Sequence, residues 1–366
     1  TTLFRSTQDE KRDNAKYIIE LLDNRADYVL LSEVLRKEKY SVLLSTAQTL
    51  QEKITFHSYL KYLYSISIGS FIHYFGLSKF FLRVIKHSLV GDGKHARKFK
   101  RYRIEKVIGK KVIKYPKGLD ISKLTYPDKQ WKNIFDLYFC HSKIDKDLIS
   151  DKFPNVKCIN IGYPKYDNIL PINSAKKIIY SEISNINTSK LTLLWMPTII
   201  RFGDGFIDNI RMWLPVIERL LGEFNIIIRP HPKVLVIDPK IVNNLAELGF
   251  LVDIKKDRNL GVLYQSADLV LADYGGSVLS SVYMKKKLIL LNATSKYTQM
   301  RKKRMYIDAD VRNNVSTFNI DNGNALIEQI MSDVRNSDEL KINSLKERYF
   351  GKKYDRENIR ELSYKL

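Results

Sequence analysis

From Leu191 onward the chain alternates short, unbroken apolar runs with longer segments of helical period. The runs are LTLLWM (residues 191–196), NIII (225–228), FLVDI, DLVLAD and KLILLN. Between them lie IDNIRMWLPVIERLLGE, DPKIVNNLAELG, LGVLYQSA and SVLSSVYMKK. Apolar runs without polar alternation predict strands covered on both faces, and helices joining them predict that the strands run parallel. Upstream, FDLYFCHS and VKCINIGYPKYDNI flank the polar helix KIDKDLISDKF with the same βαβ spacing. The pattern predicts an α/β chain built on parallel sheets.

Between these regions, residues 173–190 are polar with no strong apolar period and read as a linker. That places an N-terminal domain at 1–180 and a C-terminal domain at 181–345. The C-terminal SDELKINSLKERYFGKKYDRENIRELSYKL has the pattern of one or two amphipathic helices, and 346–366 is expected to pack back on the first domain. With 366 residues, 44% of them hydrophobic, the chain is too long for one small core and too apolar for disorder, which agrees with two domains.

The net charge of +22 implies an anionic partner: nucleic acid, an acidic membrane surface or phosphorylated substrates. Tyr (22) and Phe (16) are plentiful enough to keep RNA open, yet there is no RNP-type aromatic signature and no zinc-finger spacing. Basic residues crowd VGDGKHARKFKRYRIEKVIGKKVIKYPKG, which reads as an exposed loop or helix over an anion site. Cys140 and Cys158 lack a C-x-x-C pattern or histidine partners, against a disulfide framework or structural zinc and in favour of a reducing cytoplasm. The uncharged stretch YLYSISIGSFIHYFGLS (62–78) is at the short limit for a membrane span and carries Ser, Gly and His73, so it reads as buried structure. Its lysine flanks and the basic chain suit a peripheral enzyme on the anionic inner leaflet. The opening TTLFRS has neither methionine nor secretory signal, which reads as a processed or truncated start from which an anchor could have been cut.

Two stretches carry candidate chemistry. In NIIIRPHPKV (225–234) a strand ends in Arg229 and in His231 held between two prolines. Each proline fixes φ and removes an N–H, so the ladder stops and the loop stiffens. A strand terminator with a surface arginine and a capping histidine is the plain alternative. In SADLVLADYGGSVLSSVYMKKKLILLN a strand delivers Asp273 to its end, Gly275 and Gly276 permit a tight turn, and Ser277 is placed to cap the next helix. Ser277, Ser280 and Ser281 fall at i, i+3, i+4, so hydroxyls and free N–H groups face one way at a helix N-terminus that favours phosphate. A glycine turn with serines easing helix packing is the alternative there. Arg229, His231, Asp273 and Pro197–Thr198 all follow strands, at the carboxyl edge where parallel sheets bind ligands, and this convergence favours a site. Arg229 would donate to phosphate oxygens and His231 would donate or accept a proton, together stabilising charge on a departing nucleotide.

MPT after a strand, then RPHP, then SADLVLADYGGSVLSSVYMKKKLILLN, with GYPKYDNI upstream, resembles the CDP-glycerol glycerophosphotransferases and their relatives, which build teichoic acids and some capsule polymers. The resemblance runs from about Phe135 to Asn292. It implies a GT-B fold, two Rossmann-like domains with parallel sheets facing a central cleft, and a peripheral membrane enzyme that works without a metal. It also implies that Pro197, Thr198, Arg229, His231, Asp273, Gly275, Gly276 and Ser277 surround the donor's diphosphate, with two glycines and a displaced serine in place of the family's serine pair; Ser281 joins the expected donor site by its helical spacing from Ser277. The family's His-Gly motif followed by lysine is matched most nearly by KHSLVGDGKHARK. This implies His87 as the catalytic base and Lys94 as its basic follower, with Ser88 where glycine is usual; His95 competes for the role of base, and Asp92 and His95 share with Lys94 the glycine-containing loop expected on the acceptor side.

The leading expectation is transfer of a glycerol- or ribitol-type phosphate from a CDP-linked donor to a hydroxyl of a lipid-linked or oligosaccharide acceptor, with no cofactor, at the cytoplasmic face of the membrane. A GT-B glycosyltransferase using a nucleotide sugar needs the same diphosphate pocket and is the enzymatic alternative. A nucleic-acid-binding protein is the alternative of another class, and it leaves the RPHP arrangement without a purpose.

Overall fold

The computed structural model describes residues 2–6, 26–30, 40–45, 109–115, 119, 135–167, 169–202, 205–335, 339–352 and 354. His57, His73, His87, Asp92, Lys94, His95 and the segment 62–78 lie outside them.

Two six-stranded parallel sheets organise these residues. The first holds β1 (Thr2–Ser6), β2 (Ala26–Leu30), β3 (Tyr40–Ser45), β4 (Gly109–Lys114), β5 (Leu137–Cys140) and β6 (Lys157–Asn160), in the order β2-β1-β3-β4-β5-β6. The hairpin β8 (Ile200–Phe202) and β9 (Gly205–Ile207) follows β7 (Leu191–Met196). The second sheet holds β7, β10 (Phe224–Ile228), β11 (Leu251–Val252), β12 (Leu269–Ala272), β13 (Leu288–Leu291) and β14 (Thr317–Phe318), in the order β11-β10-β7-β12-β13-β14. Numbered from its own first strand, that order is the 3-2-1-4-5-6 of a doubly wound sheet, whose direction of winding reverses between β7 and β12.

The helices are α1 (Lys143–Lys152), α2 (Ile172–Glu182), α3 (Asn209–Ile217), α4 (Pro232–Ile237), α5 (Ile241–Glu247), α6 (Leu260–Ser266), α7 (Gly276–Tyr283), α8 (Ser295–Lys303), α9 (Ile307–Val311), α10 (Gly323–Arg335) and α11 (Glu339–Phe350). Period-two alternation explains the unbroken apolar strands. Leu193, Trp195, Ile226, Ile228, Leu269 and Leu271 pack on one face with Ile210 and Trp213 of α3, while Leu194, Ile227, Val270 and Ala272 pack on the other with Leu263 and Val278.

Two sequence expectations are corrected. The linker expected at 173–190 contains helix α2, which buries only Ala175 and Ile179, four residues apart, and packs beside α6. A buried stripe that narrow leaves too weak a period to stand out. In the basic stretch expected as a loop or helix over an anion site, Gly109–Lys114 form β4, with Val112 and Ile113 buried and Lys114 only 1% exposed, while residues 90–108 lie outside the described residues. The surrounding lysines mask a short apolar strand.

The two sheets meet through tyrosines. The Tyr163 amide donates to the Tyr283 hydroxyl (2.9 Å), which donates to Asp167 Oδ1 (2.6 Å), and the Tyr166 hydroxyl donates to Ser280 Oγ (3.3 Å). Gly162 makes this approach possible: its φ is +67°, and a Cβ there would come within 2.9 Å of the Tyr283 hydroxyl and the Tyr354 ring. Helix α11 contacts both α1 and α7, and the Asn160 amide donates to Phe350 O (2.7 Å). Among the described residues no helix is long and apolar enough to cross a membrane.

Candidate active site

Strand pairing brings the candidate residues of the second sheet to one edge. Ile228 lies beside Trp195, and Ala272 beside Met196, so Arg229, Pro197 and Asp273 leave three neighbouring strands at nearly the same level. Adjacent strands are about 4.8 Å apart, which puts these residues around the point where the winding reverses.

Asp273 ties the edge together. Its carboxylate accepts the Thr198 amide (2.9 and 3.1 Å), the Tyr274 amide (2.6 Å) and the side-chain amide of Asn209 at the start of α3. It is 3% exposed, and burial pushes its pKa up to about 7 although the Thr198 and Tyr274 N–H groups favour the charged form. Asp273 therefore shapes the loops through its bonds, with Thr198 and Tyr274 fixed on either side.

The turn after Asp273 opens α7. Gly275 is its N-cap, at φ 76° and ψ −142°, and no side chain caps the helix. The cap expected at Ser277 is thus corrected: Ser277 lies one residue inside the helix, and its hydroxyl donates back to Tyr274 O (3.3 Å). Ser281 is fully buried and donates to Ser277 O (2.9 Å), while Ser280, 7% exposed, accepts from Tyr166, so these two hydroxyls serve packing rather than face outward with Ser277. A Cβ added at Gly276 would meet no atom within 4 Å. The first N–H groups of α7 thus have no side-chain cap, and there is open space beside Gly276.

Arg229 and His231 close the other side. The half-buried His231 caps α4, its Nδ1 accepting the Lys233 N–H (3.1 Å). That bond leaves Nδ1 without a proton, so the neutral ring carries its proton on Nε2. Arg229 is 15% exposed and donates from Nη1 to Asp253 Oδ2 (2.5 Å) and from Nη2 to Lys255 O (3.0 Å). Its charge also reaches Tyr264: burial raises the Tyr264 hydroxyl well above the ordinary tyrosine range and Arg229 opposes that rise. The same hydroxyl donates to Ser277 O (3.3 Å), so Arg229 and the Gly275–Ser277 turn share a neighbour.

Several contributors escaped the sequence reading. Asp253 follows the run FLV and was legible as a strand-end carboxylate. Asn209 and Arg312 carried no local signal. The Arg312 guanidinium lies 4.0 Å from the centre of the Tyr274 ring and donates to Asn292 Oδ1 (2.7 Å), so it backs the turn from behind; burial lowers its pKa. On the first sheet, His141 is fully buried at the end of β5, donates from Nδ1 to Gly162 O (2.9 Å) and lies edge-on to Tyr115 and Tyr163. Among the described residues no three His, Cys, Asp or Glu side chains gather as metal ligands.

The architecture matches that of the wall teichoic acid polymerase TagF. One TagF structure superposes with a TM-score of 0.59 at 12% identity and another with 0.57 at 14%, each covering 100% of this chain and 88% of the chain in that structure. The chain is of the GT-B type. No curated protein matches the sequence. The family model described as CDP-Glycerol:Poly(glycerophosphate) glycerophosphotransferase matches residues 1–361, and the chain therefore belongs to the CDP-glycerol glycerophosphotransferase family.

Proposed function

We propose that this enzyme transfers a polyol phosphate, of the glycerol or ribitol type, from a CDP-linked donor to a hydroxyl of a lipid-linked or glycan acceptor during synthesis of a teichoic acid or capsule polymer. One observation carries the placement of the donor: Asp273 holds the Thr198 loop and the Gly275–Gly276–Ser277 turn together where the sheet's winding reverses, with uncapped N–H groups and open space beside Gly276. A diphosphate fits that edge because helix N–H groups and fixed donors favour concentrated negative charge.

In this reading the acceptor oxygen attacks the phosphorus that carries the polyol, the bond to the bridging oxygen breaks, and CMP departs with the electron pair. Arg229 and the Nε2–H of His231 stabilise the charge that grows on CMP, a role in which a single donor contributes about 10²–10³ in rate. His87 takes the acceptor proton, with Asp92, Lys94 and His95 near the acceptor; these four lie outside the described residues. No metal or other cofactor takes part, and the net charge of +22 holds the protein on the anionic inner face of the membrane. Support for the donor comes from the family description and from TagF, whose structure has been determined after a soak with CDPG.

Thermal shift with CDP, CMP, UDP and GDP, followed by transfer from phosphorus-labelled CDP-glycerol, tests this reading. Stabilisation by CDP with label entering the polymer is expected. Stabilisation by UDP alone, with an unlabelled product, would make the protein a sugar transferase.

A further inference from the structure

Arg229 is not held by its own loop alone. Ile228 of β10 pairs with Val252 of β11, so Arg229 and Asp253 leave neighbouring strands side by side. Arg229 donates to Asp253 Oδ2 (2.5 Å), to Asp253 O (3.4 Å) and to Lys255 O (3.0 Å). The same carboxylate faces a second guanidinium: Arg258 donates from Nε to Oδ1 (3.1 Å) and Oδ2 (3.2 Å), and from Nη2 to Oδ1 (2.8 Å). Arg258 also reaches Glu182 at the end of α2, and Lys255 pairs with the other oxygen of Glu182 (3.1 Å). Asp253 is 3% exposed and Arg258 9%.

Two guanidiniums on one carboxylate leave a net charge of +1. Arg258 makes three of the four side-chain contacts to that carboxylate, so it supplies most of the compensation. Arg229 is thereby fixed in direction without being fully neutralised. An unrestrained arginine gives up rotamer entropy when it is clamped on a ligand, and a prearranged one gives up less.

We propose that Asp253 is a positioning residue for the donor, holding the Arg229 guanidinium towards the diphosphate, and that Arg258 anchors Asp253 for that purpose. This rests on the reading that Arg229 touches the donor. The observations distinguish it from simple stability because the carboxylate is shared unequally, with the better-bonded arginine the more buried of the two.

The test is a double-mutant cycle on CDP affinity, measured by calorimetry up to millimolar CDP, with thermal melts alongside. D253N can fail to fold because it leaves Arg258 poorly compensated, so D253E is run beside it: it keeps the charge but shifts the carboxylate by one methylene. Expected is a loss of CDP affinity of about tenfold or more in D253E or D253N when Arg229 is present, and less than about twofold when Arg229→Met is already present. An equal loss in both backgrounds, or no loss in a folded D253E, overturns the proposal. Wild-type CDP affinity in R229M overturns the donor-site reading itself, whereas weak binding in R229M with normal binding in D253E removes only the role of Asp253.

Discussion

The carboxyl edges of the two sheets are built from opposite materials. At the second sheet, Thr198, Arg229, Asp273 and the uncapped end of α7 form a rim of fixed polar groups with open space beside Gly276. At the described part of the first, Tyr115, His141 and Tyr163 pack edge to face, and Tyr163 is bonded to Tyr283 of the other half. The same position in the same kind of sheet therefore serves two ends. One edge keeps its backbone donors available, and the other uses rings and a buried imidazole to make a joint.

The largest effect should come from the polar edge. R229M and H231A are expected to lower transfer by about 10²–10³ while leaving the circular dichroism spectrum unchanged, since each removes a group acting on developing charge. Normal turnover in either folded variant would break the comparison from that side. At the aromatic edge, H141A should destabilise the protein by about 2–4 kcal/mol in urea, through loss of buried ring volume and of the bond to Gly162, with CDP affinity unchanged. A drop in CDP affinity would show that the joint is part of the donor site.

Each edge also holds a buried carboxyl, and their hydrogen bonding distinguishes them. Asp145, at the start of α1, is 3% exposed with Oδ1 unbonded, and burial pushes its pKa from 3.8 to about 7. Asp273 is raised to about 7 as well, but all its oxygens have donors. A raised carboxyl stabilises the fold fully below its unfolded pKa and loses that contribution as pH rises through the folded value. The stability of wild type relative to D145N should therefore fall between pH 3.8 and about 7 and level off above. Urea midpoints for the two proteins that stay parallel across this range would show that Asp145 does not titrate there. The smallest effect is expected for S277A, which removes one long bond to Tyr274 O: about 1 kcal/mol of donor affinity or less by calorimetry, with a larger loss placing the hydroxyl directly on the phosphate.

The second sheet was legible because strands covered on both faces leave continuous apolar runs, and a strand's end can be read from the polar residue that follows it. Arg229 and Asp273 are residues of that kind. What stayed hidden depends on partners distant in sequence. Tyr163 and Tyr283 are 120 residues apart, and Arg258 meets Glu182 across 76. Helix α2 was lost because Ala175 and Ile179 are its only buried side chains, and β4 because lysines surround Val112 and Ile113. Ser277 misled for a local reason: Gly275 takes the cap at positive φ, which moves the serine into the helix and turns its hydroxyl backwards.

Gly276 has a helical setting and nothing near where a side chain would begin, so packing does not exclude a larger residue there. Alanine at such a position commonly makes a protein firmer by about 0.4–1 kcal/mol, because the unfolded chain loses freedom. The glycine thus forgoes firmness that was within reach, and what it keeps in return is clearance for whatever approaches the first turn of α7. Adding side chains there one atom at a time would turn that clearance into a ruler: G276A, G276S and larger replacements should leave the melting temperature level or higher while excluding occupants of the edge in order of size.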